Sequence, residues 1–515
     1  MRKNLIITGL FLLATSSVFA GGLLTNTNQT VHFLRNPARD ASTEIDAVYT
    51  NPAGLTFLSN GFHISLNSQS AFQTRTITST FEGYKYADGN NGSTTKTFKG
   101  EASAPIIPSF QLAYKKDNFV FSTGFAVTGG GGKATFNHGL SSFESQVAKT
   151  PVSLNASGVP TTGYSVRSYM EGQQFIFGWQ LNGSYKINDN LSAALGVRLN
   201  IVNSKYEGYL RNMQFTVAGN NLTVNQLYGT LAASASTTAT NLGALPASST
   251  IGQLVAAGYL TADKATSLSK GLGQDVTSLT VAQVQAGYSA KATAYTAAAS
   301  TDQNKELNCT QTGWGVTPIV GLNYHIGNLN LAARYEFLTS LNIQNDTKVN
   351  TTGVAAYDDG VNTPNDIPAY LALGADYKLT NSWKVSGGYH HFFDSDAKMA
   401  NDKQKYINGG INEYLFGTEY AINKMFLISA GGQITRTGVT DDYQSDMSYS
   451  LNSYSVGFGG AVNLTPALRL NVAYFFTNYS DWKKESANYN GTTLAGTDIY
   501  ARTNKVFGIG IDYKF

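Results

Sequence analysis

Period-two alternation, repeated along most of the chain, is the feature that most narrows the choice of fold, because side chains at successive strand positions point to opposite faces. From Phe175 to Tyr185 the odd positions are mostly large and apolar and the even ones mostly small or polar. Leu191, Ala193, Leu195, Val197, Leu199 and Ile201 form one face of the next segment, opposite Ser192, Ala194, Gly196, Arg198 and Asn200. The pattern returns at 329–337 and at the end of the chain, where Phe507, Ile509, Ile511, Tyr513 and Phe515 alternate with Gly508, Gly510, Asp512 and Lys514. A soluble β-sandwich also alternates, so the period alone does not imply a membrane.

Three features do. Short turns at 116–118, 188–190, 327–328, 380–382, 423–424 and 465–466 alternate with long polar segments near 81–104, 129–170, 209–311, 345–366, 395–406, 440–447 and 481–500. Short turns at one rim and long loops at the other, with the six turns and seven loops requiring fourteen strands, is the plan of a bacterial outer-membrane barrel. Aromatic residues gather near strand ends (Tyr185, Tyr324, Tyr335, Tyr377, Trp383, Tyr389, Phe392, Phe393, Tyr474, Phe475 and Phe476), where an interfacial girdle belongs. The last strand ends on an aromatic, Phe515. Composition agrees: only 13% of residues are charged, yet the chain holds 30 Tyr, 27 Phe and 52 Gly. So aromatic a chain is not disordered, and no run of eighteen apolar residues follows the first twenty, which excludes a bundle of membrane helices. The fold class expected is all-β: a 14-stranded antiparallel transmembrane barrel.

Arg2 and Lys3 precede an apolar stretch, Leu5 to Leu13, and Ser16–Ala20 offers small residues before Gly21. Residues 1–20 read as a cleaved signal peptide that exports the chain. Basic residues number 36 and acidic ones 33; cleavage removes Arg2 and Lys3 and leaves one net positive charge, which gives no reason to expect nucleic acid as a partner. The lone Cys309 cannot staple the chain to itself. Residues 21–60 precede the first strand and read as an N-terminal plug, with a short helix within 39–49 and a breaker at Asn51-Pro52-Ala53-Gly54; residues 61–515 form the barrel. The insertion at 209–311 is rich in Ala, Ser and Thr, with helical spacing at Ile251, Leu254, Val255 and Tyr259 and a capping box at Thr280 and Gln283. It reads as short helices over the barrel mouth.

Asn51-Pro52-Ala53-Gly54-Leu55, Ala104-Pro105-Ile106-Ile107-Pro108-Ser109-Phe110, Thr312-Gly313-Trp314-Gly315, Asp366-Ile367-Pro368-Ala369 and Asn412-Glu413-Tyr414, in this order, resemble the FadL/TodX-type outer-membrane transporters of long-chain fatty acids and hydrocarbons. The chain departs from the enterobacterial pattern in its long 209–311 loop and in Ala369, where an acidic residue follows the proline in that pattern. The resemblance implies a monomeric barrel in the Gram-negative outer membrane, among its lipid and lipopolysaccharide, with a hatch inside. It also implies capture of a fatty acid or other hydrophobic molecule at the outer loops and passive release sideways through the wall. Such release needs a break in the strand ladder, and Gly129, Gly130, Gly131 and Gly132, just after the third strand, are the candidates. A flexible loop start is the competing reading of these glycines. Arg198, Arg334 and Glu336 are candidate lumen charges, able to anchor a carboxylate but better suited to pairing with one another or with the plug.

No cofactor is implied. The six His lack metal-ligand spacing, and adjacent His390 and His391 point to opposite faces of a strand. Ser59-Asn60-Gly61 matches part of an outer-membrane phospholipase motif, but Phe57 stands where that motif needs His, so no enzyme is expected. Two further functions remain open: a diffusion channel for polar solutes, and a surface adhesin or receptor built on the long loops.

Overall fold

The computed structural model describes residues 22–515; the signal-peptide reading of 1–20 lies outside them. The chain closes into a single antiparallel barrel of fourteen strands. They are β1 Gly61–Phe81, β2 Thr95–Lys116, β3 Phe119–Phe136, β4 Thr161–Lys186, β5 Leu191–Val217, β6 Lys305–Ile326 and β7 Leu329–Glu336, continued by Asn342–Asn350. Then follow β8 Tyr370–Lys378, preceded by the short Asn362–Pro364, β9 Trp383–Phe392, β10 Ile411–Ala421, β11 Phe426–Arg436, β12 Ser453–Asn463, β13 Leu468–Tyr479, continued by Trp482–Ser486, and β14 Gly496–Lys514. Each strand pairs with its sequence neighbours, and β1 pairs with β14 from His63↔Lys514 to Phe81↔Gly496, which closes the sheet on itself. No helix among the described residues is long and apolar enough to cross a membrane.

Alternation decides which side of the wall each residue takes. On β5, Leu195, Val197, Leu199 and Ile201 are exposed outward while Ser192, Arg198, Asn200 and Ser204 are buried within. On β14 the outward row Phe507, Ile509, Ile511, Tyr513 and Phe515 is capped by exposed Lys505. That change from apolar to charged marks the outer limit of the hydrocarbon band.

Several strands run further than alternation suggested. The insertion read as 209–311 is bounded by Val217 and Lys305, and β3 continues to Phe136 through the four glycines. Above the membrane the outward face meets water, so these strand ends are polar on the side where the apolar signal would have been. Phe392 and Phe475, assigned to the girdle, instead face inward. Phe475 packs against Phe33 with ring centroids 6.0 Å apart, and Phe392 stacks on Tyr370 at 4.6 Å.

Residues 22–56 lie mostly buried against the inner wall, and Ser59 and Asn60 are exposed where the segment reaches β1. The helix expected within 39–49 shrinks to α2, Ala47–Thr50, and another, α1, forms at Val31–Arg35. The chain between 39 and 46 turns instead around one guanidinium. Arg39 Nε reaches Asp46 at 2.7 Å, while its Nη2 reaches Glu44 at 2.7 Å and Ser42 at 2.8 Å. Arg39 Nη1 also reaches Glu419 of β10 at 3.2 Å; Arg35 binds the same carboxylate, and Lys384 of β9 completes it at 2.7 Å. Burying charge is tolerable only when it is paired this fully. A Glu419→Gln variant, which leaves Arg35, Arg39 and Lys384 around a neutral amide, is expected to lose about 3–5 kcal/mol. The check is the temperature at which the barrel's SDS-resistant gel mobility is lost; an unchanged temperature would contradict this pairing.

Candidate functional site

The ladder between β2 and β3 is interrupted. Phe110–Lys116 pair with Phe119–Phe125, and Glu101–Ser103 pair with Lys133–Thr135, but residues 104–109 and 126–132 have no registered partners across this seam. The other edges of both strands stay joined, β2 to β1 and β3 to β4. Local sequence accounts for the break. Pro105 and Pro108 carry no N–H to donate. On β3 the register with β4 slips twice, between Val127 and Gly129 and between Gly130 and Gly132. Gly130 and Gly132 adopt φ of +81° and +71°, a region open to glycine but costly to other residues.

Behind the gap runs a strap formed by residues 24–29. Asn26 N donates to Thr128 O at 2.8 Å, and Asn26 Nδ2 donates to Gly130 O at 3.1 Å. Gln69 of β1 donates to Asn28 O at 2.6 Å, and Ser109 of β2 donates to Gln29 O at 2.5 Å. The strap thus touches all three strands and takes up β3 carbonyls that β2 leaves unpaired. A side chain at Gly129 would meet the Leu24 carbonyl of this strap.

The gap has an inner and an outer face. Inside, a small cavity of about 30 Å³ is bounded by Arg75, Gly131, Gly132, Phe136, Met170 and Met447. Arg75 is buried, with Nε donating to Gln73 at 2.9 Å. Outside, a shallow mouth of about 360 Å³ lies among Phe72, Ser103, Lys133 and Lys505. The glycines are therefore part of a bulged strand rather than the start of a loop.

At the outer end, the loops after β9, β11 and β13 enclose a pocket of about 470 Å³ containing Lys403, Lys484, Tyr443, Tyr489, Tyr500 and Met447. Lys403 Nζ donates to Ser448 O at 3.3 Å and stands 4.1 Å over the Tyr443 ring, while Lys484 Nζ donates to Gln444 O at 2.7 Å. Burial, with Lys484 beside it, pulls the Lys403 ammonium down to about 7. Asp446 in the same wall accepts from Ser141 Oγ at 3.0 Å and Ser142 N at 2.7 Å at the start of α3, Ser141–Ala156. Sequence reading missed this pocket, because its residues come from separate loops without a spacing rule.

The sequence candidates fall into different places. Arg198 binds Glu336 at 2.6 Å, and Arg334 stands 3.6 Å from the same carboxylate, so these three form one inward cluster. Asn51 Nδ2 donates to Ser42 O at 3.0 Å and to Asn323 Oδ1 at 2.7 Å. Pro52 O accepts from Ser184 at 2.7 Å and Ala53 O from Ser192 at 2.8 Å; Gly54 is packed too tightly against Asn51 and Ser42 for a Cβ. This motif fastens the segment to β4, β5 and β6, well away from the four glycines in sequence and in the wall. Ser59 and His63 do meet, Oγ to Nε2 at 3.4 Å, but the same nitrogen lies 2.9 Å from the Ser59 carbonyl, a local turn contact.

No protein-family model matches the sequence, and no curated protein does. Among solved structures, a Pseudomonas aeruginosa FadL homologue aligns over 96% of this chain and 100% of its own, at 13% identity and a TM-score of 0.58. The Pseudomonas putida toluene transporter TodX aligns over 92% of this chain and 94% of its own at 16% identity and TM-score 0.47, and the Ralstonia pickettii toluene transporter TbuX over 92% and 94% at 13% and 0.46. The chain has the fold of the FadL homologue, a fourteen-stranded barrel of the kind its motifs resemble.

Glycine is required most strictly where backbone stands opposite. Gly130→Ala is expected to destabilise the barrel more than Gly132→Ala: both pay about 1–2 kcal/mol for the left-handed backbone, but at Gly130 a Cβ also collides with the Gln174 carbonyl, whereas at Gly132 it meets only Ala104 Cβ at 3.6 Å. Thermal melting of the two variants in one detergent checks the order.

Proposed function

We propose that this protein is an outer-membrane transporter for the passive uptake of long-chain fatty acids or other hydrophobic compounds, capturing them among its outer loops and releasing them sideways between β2 and β3. The interrupted β2–β3 ladder carries the reading. An alkyl chain loses about 0.8 kcal/mol per methylene on passing from apolar surroundings to water, so its route must avoid an aqueous lumen. A gap in the wall opens such a route directly into lipid. The residue motifs shared with FadL-type transporters and the FadL-homologue fold agree with this reading. A diffusion channel for polar solutes fits less well, since residues 22–60 fill the interior with paired charges.

In this reading residues 22–60 are the plug, the strap at 24–29 is its movable part, and the pocket at Lys403 and Lys484 is the outer capture site. Uptake of oleate, toluene and a small sugar by cells with and without the protein tests the assignment: dependence of oleate or toluene alone supports it, and dependence of the sugar alone overturns it. Strap movement is tested in a Cys309→Ser background by a disulfide between cysteines at Asn26 and Thr128, whose backbones are hydrogen-bonded at 2.8 Å. Oxidation is expected to slow oleate uptake at least tenfold, reversibly on reduction. Undiminished uptake with the bond verified would remove the strap from the mechanism.

Capture of an anionic head is expected to weaken with rising pH. With its pKa lowered to about 7, Lys403 is largely an ammonium at pH 6 and largely neutral at pH 8. Decanoate binding to the purified protein should fall across that interval, and Lys403→Met should flatten the profile.

A further inference from the structure

We propose that a groove on the lipid-facing side of the wall, directly below the gap, receives the alkyl tail of a long-chain cargo as it leaves the barrel. The proposal rests on the lateral-release reading and extends it to the path taken afterwards. The groove has a volume of about 640 Å³ and is formed by the outward faces of four strands: Leu112 and Tyr114, Phe121 and Thr123, Leu181 and Gly183, Leu195 and Val197. Its floor follows from the register. Gly183 lies between Phe121 of β3 and Leu195 of β5, and a Cβ added to it would meet nothing within 4 Å. The rims project, with Phe121 68% and Leu195 71% exposed. One absent side chain among large apolar neighbours makes a furrow on an otherwise continuous apolar face.

Its position relative to the gap selects the occupant. Along β2 the outward residues run from exposed Glu101 and Ser103, through the unpaired 104–109, to Leu112, Tyr114 and exposed Lys116. The charged residues bracket the hydrocarbon band, so the gap lies in its outer half and the groove in its inner half. Both sit on the β2–β3 seam. From Ala126, at the lower edge of the gap, to Phe121, in the groove, is five residues, about 17 Å of strand. A long alkyl chain spans that distance with its polar end still at the gap, and a molecule of toluene's size does not. Lipid around the furrow is as apolar as its walls, so what the furrow offers a tail is shape and packing contact along its length. The groove therefore favours long-chain amphiphiles and directs the tail toward the inner leaflet.

The test uses the full chain in lipid nanodiscs with two photoreactive acids bearing a terminal diazirine, one of sixteen carbons and one of six. The expected result is labelling of gap residues 104–109 or 126–132 by both acids, and of groove residues 112–123 and 181–197 by the long acid alone. Gly183→Trp, which fills the furrow, should reduce groove labelling at least tenfold while leaving gap labelling intact, and should slow uptake of the long acid but not of the short one. Gap labelling by the long acid without groove labelling would overturn the groove and spare lateral release. Labelling of neither, with lumen residues labelled, would overturn lateral release itself. Groove labelling by a photoreactive phospholipid that excess long acid fails to displace would assign the furrow to membrane lipid and likewise overturn the proposal.

Discussion

Backbone hydrogen bonding in a medium without water is the constraint from which the rest of this structure follows. Each N–H and C=O at membrane depth needs a partner within the protein, and a closed ladder is how a sheet supplies them. A ladder that is closed everywhere gives a sealed wall. At the β2–β3 seam, where the ladder is interrupted, the residues lower the cost: prolines on β2 have no N–H to leave unpaired, and the Thr128 and Gly130 carbonyls of β3 turn inward to Asn26. The interruption is thus compensated from inside, by a segment that is not itself part of the wall.

That compensation depends on the segment being held in place, and buried charge holds it. Arg35 and Arg39 enter among Glu419, Asp46 and Glu44, and Arg469 of β13 joins at Glu44 at 2.8 Å. On another side His390 of β9 lies 2.9 Å from Asp40 and 2.9 Å from Glu413. Such pairs are individually of uncertain net worth for stability, but losing one partner is costly, which fixes register and position. The strap at 24–29, by contrast, is held by neutral amide and hydroxyl hydrogen bonds, about 1 kcal/mol each. The segment is therefore strongly anchored past residue 35 and lightly held where it covers the gap.

Much of the wall was legible because a strand with lipid on one side and packed interior on the other writes its faces into the sequence with period two; Leu195 and Arg198 could be placed that way. Legibility failed where lipid ended. Tyr209, Leu210 and Arg211 continue β5, but their outward neighbours face water, and the pattern fades while the strand does not. The four glycines were recognisable as a break because their composition is local. The inner pairing of Arg198 with Glu336 also followed from the cost of burying an unpaired charge. The Lys403 and Lys484 pocket and the strap behind the gap were not visible, since each is made by residues from separate segments, tens of positions or more apart, that only the closed barrel brings together.

The insertion between β5 and β6 has a simpler lesson. Its helices α4 Val224–Leu242, α5 Ile251–Ala256, α6 Ala262–Leu272 and α7 Val281–Ala299 share a core of their own, with Ile251, Leu254, Leu268, Val276, Val281 and Val284 buried together. The two strands that carry it remain paired to Leu210 and Lys305, so the insertion leaves and rejoins the barrel at neighbouring points. An architecture of that kind behaves as a socket. The helical insertion can be lengthened, exchanged or trimmed in evolution while the wall that carries it keeps its register.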